Sequence, residues 1–181
     1  LTTASLQRPI ILQQFYDGVG FKNGWVNMIE HPMPRLMEQN QRLSLRQAKL
    51  SGVYGSAFEF NTQQLDARLT GEWGWNLERS ADEILTEMGN ERFGAGAGPD
   101  FTAAVLAMEE YWDGACIQFF SDGAPDDTAL AEAAASRAVE KLALVEPRVE
   151  RNREFFEGLE ALARAMELTT RQQALRQQAA A

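Results

Sequence analysis

The 181 residues are 45% apolar and carry a formal charge of −9, so the chain can bury a real core and intrinsic disorder is not expected. The acidic balance argues against a nucleic-acid partner, whose phosphates call for clustered Lys and Arg. No run reaches the roughly 20 apolar residues of a membrane span, and no signal peptide is legible, so the reading is of a soluble protein whose compartment, cytoplasmic or periplasmic, stays open.

Pro9 to Tyr16 is a short apolar run that stops at Asp17-Gly18-Val19-Gly20, which reads as a buried strand ending in a loop. A long aromatic loop holding Trp25, His31 and Pro32-Met33-Pro34 follows. Arg35 to Gln47 places Leu36, Met37, Leu43 and Leu45 among polar residues and predicts an amphipathic helix. Leu50 to Phe60 reads as a second strand, its glycines pointing to a bulge or a close backbone approach. Because a helix-length crossover separates the two strands, they are expected to pair in parallel.

From Thr62 to Glu72 the pattern is helical with a stop at Gly71, and Trp73-Gly74-Trp75-Asn76 reads as a turn whose indoles cover the seam between two halves. Ser80-Ala81-Asp82-Glu83 is a capping box for a helix running to Phe93, closed by the glycines at 94, 96 and 98 as a flexible connection. A further helix from Asp100 aligns Phe101, Val105, Met108 and Trp112, and Cys116 reads as a packing residue. Asp127 to Gln173 carries Leu142, Val145, Phe156, Leu159 and Leu162 on a facing stripe in an antiparallel bundle. Pro147 predicts either two helices or one bent helix there, ahead of a frayed polar tail. Charge marks the same division: eight Lys/Arg against seven Asp/Glu before Ala81, nine against nineteen from there on. The domain reading is therefore 1–80 and 81–181, the second half all-helical.

Standard catalytic centres are absent. One His and one Cys cannot make a four-ligand zinc site, and no nucleophile elbow accompanies His31, so no metal or cofactor is expected. The glycines at 94, 96 and 98 follow a helix rather than a strand and lack the Lys-Ser/Thr of a phosphate loop. The informative residues flank the strand ends. Tyr16, Trp25, His31, Phe58 and Asn61 combine aromatic faces with polar groups, as sugar binding requires, and Asp17 and Glu59 are the carboxylates placed to accept sugar hydroxyls or to act as an acid/base partner.

The run Leu50-Ser51-Gly52-Val53-Tyr54-Gly55, continuing through Glu59, Asn61, Gln63, Gln64, Leu65 and Leu69, then Trp73 to Asn76, Ser80 to Leu85 and Arg92-Phe93-Gly94, resembles the end of a glycoside-hydrolase barrel. It is similar to that of xylan-degrading α-glucuronidases and related barrel glycosidases, where the last strand is followed by a helix, a tryptophan turn, a capped helix and an R-x-F-G ending ahead of a helical domain. Tyr16 to Phe21 resembles a glycine loop of the same enzymes, at a different position relative to the barrel end. The resemblance implies the α/β end of a (β/α) barrel followed by an all-α bundle, acting on the glycosidic bonds of a plant or microbial polysaccharide. Two strands cannot close such a barrel, so its remainder, from the same or another chain, is an expected partner beside carbohydrate, with a homodimer contact through the helical half. The family's catalytic carboxylates belong to earlier strands, and none is carried over. The alternative expectation is a noncatalytic helical interaction module.

Overall fold

The structure, a computed structural model, describes residues 11–15, 32–48, 52–56, 63–115 and 128–180. Its elements run β1 (Ile11–Phe15), α1 (Pro34–Ala48), β2 (Gly52–Ser56), α2 (Gln63–Trp75), α3 (Ala81–Phe93), α4 (Gly98–Ala115), α5 (Thr128–Val145) and α6 (Arg153–Ala180).

The barrel-end expectation is overturned, because the described protein is a helical body. Among the described residues strand is confined to one five-residue ladder in which β1 and β2 run parallel, Ile11 opposite Gly52 and Phe15 opposite Ser56. A barrel strand has a hydrogen-bonded neighbour on both sides, whereas each of these has one among the described residues. What organises the rest is the burial of helical stripes.

Local chemistry explains most boundaries. Ser80 caps α3 with its hydroxyl accepting from the Glu83 amide at 3.2 Å, while the Glu83 carboxylate accepts from the Ser80 amide at 2.8 Å. Pro147 ends α5 in a single turn of 3-10 helix, Glu146–Arg148, and α6 starts afresh at Arg153. Two expected boundaries move. α2 continues through Gly71 and Gly74 to Trp75, so Trp73 to Trp75 is helix rather than turn. The polar tail is helical to Ala180, consistent with the high helix propensity of its Ala, Gln, Leu and Arg residues.

α4 and α5 make the most extensive helix contact among the described elements, with Ala104 and Ala107 of α4 and alanines 131, 134, 135 and 138 of α5 all buried. Small side chains let two helices approach closely, and larger residues close the layer: Phe101, Val105 and Met108 from α4, Leu142 and Val145 from α5, Phe156 and Leu159 from α6. These are the expected facing stripes, with Leu162 half-buried; the Trp112 side chain and Cys116 lie outside what is described. The core continues without a break into Met37, Leu65, Leu69 and Trp73.

Phe93 is the hub joining α3, α4 and α6. Its ring meets Phe101 edge-on at 5.4 Å, Phe156 edge-on at 5.8 Å and Phe155 stacked at 6.1 Å. Arg92 lies 4.6 Å over the Phe155 ring, and burial lowers its pKa from the ordinary arginine value. The carbonyls ending α3 are taken up by the segment before α6: Glu150 donates its amide to Phe93 O at 2.8 Å, and Asn152 donates its side-chain amide to Arg92 O at 2.8 Å. The Arg92-Phe93-Gly94 run therefore has a packing reason, completed by Gly94 at φ 143°, where an added Cβ would lie 2.8 Å from Arg148 O.

The connection after Gly94 is tight. Asn90 accepts the Gly98 amide at 2.8 Å, and a Cβ on Gly98 would fall 2.1 Å from Thr86 O. The expected flexible linker is a close crossing of α3 and α4.

Candidate functional site

A groove of about 510 Å³ is lined by residues of α1, α4 and α5. Leu36, Ala103, Leu106 and Ala107 give it an apolar floor, and Arg35, Glu110, Arg137 and Lys141 form its charged rim. The rim charges are engaged: Arg137 pairs with Glu110, Lys141 with Asp100 at 3.6 Å, and Arg35 with Asp82 at 3.4 Å.

Glu109, which also lines the groove, is 5% exposed on the buried face of α4. A buried carboxylate is costly unless donors surround it, and here the donors come from another element. Oε1 accepts the Leu36 amide at 2.8 Å and Oε2 the Arg35 amide at 3.0 Å. These are first-turn amides of α1, which have no partner within their own helix, and the helix dipole favours an anion there. Glu109 thus caps α1 from α4.

A second clamp mirrors it. Glu38 of α1 accepts the Ala81 amide at the start of α3 at 2.8 Å and holds Arg42 at 2.7 Å. Trp73 donates its indole N–H to Arg79 O at 3.0 Å, and the Arg79 guanidinium bridges Glu72, at 2.6 Å, and Glu87. The hydrogen bond from Arg79 lowers the Glu87 pKa below the ordinary 4.5, and the Ser80 amide followed by its hydroxyl does the same for Glu83. α1 is therefore tied to the body by a carboxylate in each direction.

Chemically the arrangement positions rather than reacts. Among the described residues no group of His, Cys, Asp and Glu is placed to hold a metal ion, and the carboxylates of the clamps are occupied by amides and guanidinium groups. No described helix is long and apolar enough to cross a membrane.

Tyr16, Asp17, Trp25, His31, Phe58, Glu59 and Asn61 lie outside the described residues. Their neighbours in sequence are described: Phe15 and Ser56, after which those segments begin, are paired in the ladder, and Pro32, the residue following His31, is buried at the start of the α1 segment. Trp73 and Trp75 do not share the covering role expected of both, since Trp73 is 2% exposed and Trp75 is 94% exposed.

The sequence reading missed Glu109, although a signal was present. Position 109 falls four residues after Val105 and directly after Met108, at the edge of the apolar stripe of α4, so an acidic residue there must find donors. Comparison of the chain with protein-family models, with curated proteins and with solved structures finds no match.

Proposed function

We propose that the described helices are the noncatalytic support of a glycoside hydrolase and that sugar is met by the segments they carry, residues 16–31 and 58–61. The observation carrying this reading is the Glu109 clamp. It fixes the first turn of α1, the helix that follows His31 in sequence, to the core helix α4. Binding groups on loops work when the scaffold holds the loop ends, because ordering entropy is then spent in folding rather than on the ligand.

In this reading Tyr16, Trp25, His31, Phe58 and Asn61 provide stacking faces and hydrogen bonds, while Asp17 and Glu59 accept sugar hydroxyls or serve as an acid/base partner. Glycosidic cleavage uses two carboxyl groups flanking the scissile bond. The described carboxylates of the clamps are committed elsewhere, so the reading assigns cleavage to none of them.

The test pairs calorimetric titration with a hydrolysis assay, using uronic-acid and hexosamine oligosaccharides on the folded chain. Binding without turnover is the expected result. Turnover at the rate of a longer parent polypeptide refutes the support role. Absence of binding refutes the sugar reading and leaves a noncatalytic helical interaction module, which the consumption of polar groups in caps and ion pairs favours.

A further inference from the structure

The groove lined by α1, α4 and α5 has a cationic side whose hydrogen-bonding capacity is largely unspent. α5 contributes Arg137 and Lys141 to it, four residues apart. At that spacing both side chains project from one face of the helix, one turn apart, and their like charges repel. Among the described residues Arg137 donates only to Glu110, and Lys141 makes no hydrogen bond: its ammonium lies 3.6 Å from one oxygen of Asp100, while Arg148 takes the other at 3.0 Å. One carboxylate thus serves two cations. Arg35 adds a third cation to the lining, 3.4 Å from Asp82. Of the two carboxylates in the lining, Glu109 is held by the α1 amides and Glu110 by Arg137. In a chain of net charge −9, the groove therefore lines itself with three cations against two carboxylates.

The floor says what an anion there must be attached to. Leu36, Ala103, Leu106 and Ala107 are aliphatic and no aromatic ring lines the groove among the described residues. Gln39 alone in that lining is polar without charge, so a polyol would lose the hydration of its hydroxyls with little in return. An aliphatic chain loses nothing there, and about 510 Å³ is within the range of small-molecule sites.

We propose that this groove is a binding site for an aliphatic monocarboxylate. The carboxylate is received between Arg137 and Lys141, where it relieves their repulsion and accepts N–H groups that the fold leaves unused, and the chain lies over Leu36, Leu106 and the two alanines. Glu110 is the built-in competitor, because its own carboxylate holds Arg137 and must share it with the incoming one. This inference does not rest on the sugar reading.

Calorimetric titration of the full chain with octanoate tests it, with acetate presenting the head alone and octanol the body alone. Saturable binding of octanoate is expected, with acetate and octanol each weaker by about tenfold or more. Lys141→Gln should weaken octanoate by about tenfold, since it removes a charged donor and leaves Asp100 its hydrogen bond from Arg148. Glu110→Gln should act in the opposite direction and tighten binding by about two- to fivefold, the worth of an exposed ion pair that no longer competes. Both variants should keep the wild-type circular dichroism spectrum, because the altered groups are on the surface. Failure of octanoate to bind at about 10 mM overturns the proposal. So does octanol binding as well as octanoate, indifference to Lys141→Gln, or a Glu110→Gln chain that binds no more tightly than wild type.

Discussion

Replacing Gly89 and Gly71 in turn by alanine sets backbone propensity against packing. Both glycines sit inside helices, where alanine is favoured by roughly 0.8–1 kcal/mol over glycine. At Gly71 an added Cβ meets nothing within 4 Å, so the propensity gain should appear almost whole, and Gly71→Ala should stabilise by about 0.5–1 kcal/mol. At Gly89 the same methyl would lie 2.7 Å from Phe101 Cδ1, 2.9 Å from Phe101 Cβ and 2.9 Å from the Gly98 Cα. One of those atoms is backbone, and Phe101 is locked against Phe93 at 5.4 Å, so neither neighbour can swing aside. Overpacking of this kind costs about 1–3 kcal/mol, so Gly89→Ala should destabilise by up to about 2 kcal/mol after the propensity gain is subtracted. The two variants therefore differ in sign. Urea unfolding followed by circular dichroism measures both midpoints. If Gly89→Ala is as stable as Gly71→Ala, then α3 and α4 do not cross as closely as described.

Glu109→Ala should cost about 2–4 kcal/mol, because it strips the acceptor from two first-turn amides, and Glu109→Gln should cost less; denaturant titration separates them. Trp73→Ala should lose about 3–5 kcal/mol and Trp75→Ala less than roughly 0.5 kcal/mol in the same assay, as their 2% and 94% exposures require. The pKa values of Glu83 and Glu87 are held below the ordinary 4.5, so between the folded and unfolded values the unfolded chain binds more protons. Their contribution is present above pH 4.5 and is lost as pH falls through the folded values; in Ser80→Ala this acid sensitivity should shrink, read from melting curves at a series of pH values.

Where the code is local, the fold was legible in the sequence. The four residues from Ser80 to Glu83 contain the whole capping box, and Pro147 cannot continue a helix whatever surrounds it. The stripes of α4, α5 and α6 were legible because one buried face imposes one period. Gly71 and Gly74 misled because tertiary burial of Leu65, Leu69 and Trp73 outweighs the modest cost of two glycines in α2. Likewise, the order of strand, helix and capped helix suggested a barrel end, yet among the described residues each strand has one neighbour where a barrel requires two. The Glu109 clamp spans 73 and 74 residues of sequence, and no local pattern pairs an acid at that distance with particular amides.

Chemical-shift mapping with uronic-acid and hexosamine oligosaccharides probes the central claim most directly, because it reads binding residue by residue in the intact chain. The account predicts shifts concentrated at Tyr16, Asp17, Trp25, His31, Phe58, Glu59 and Asn61, with the α4 and α5 core unmoved, and a weaker response in Glu109→Gln. An unchanged spectrum at saturating oligosaccharide, from a chain shown to be folded, would contradict it.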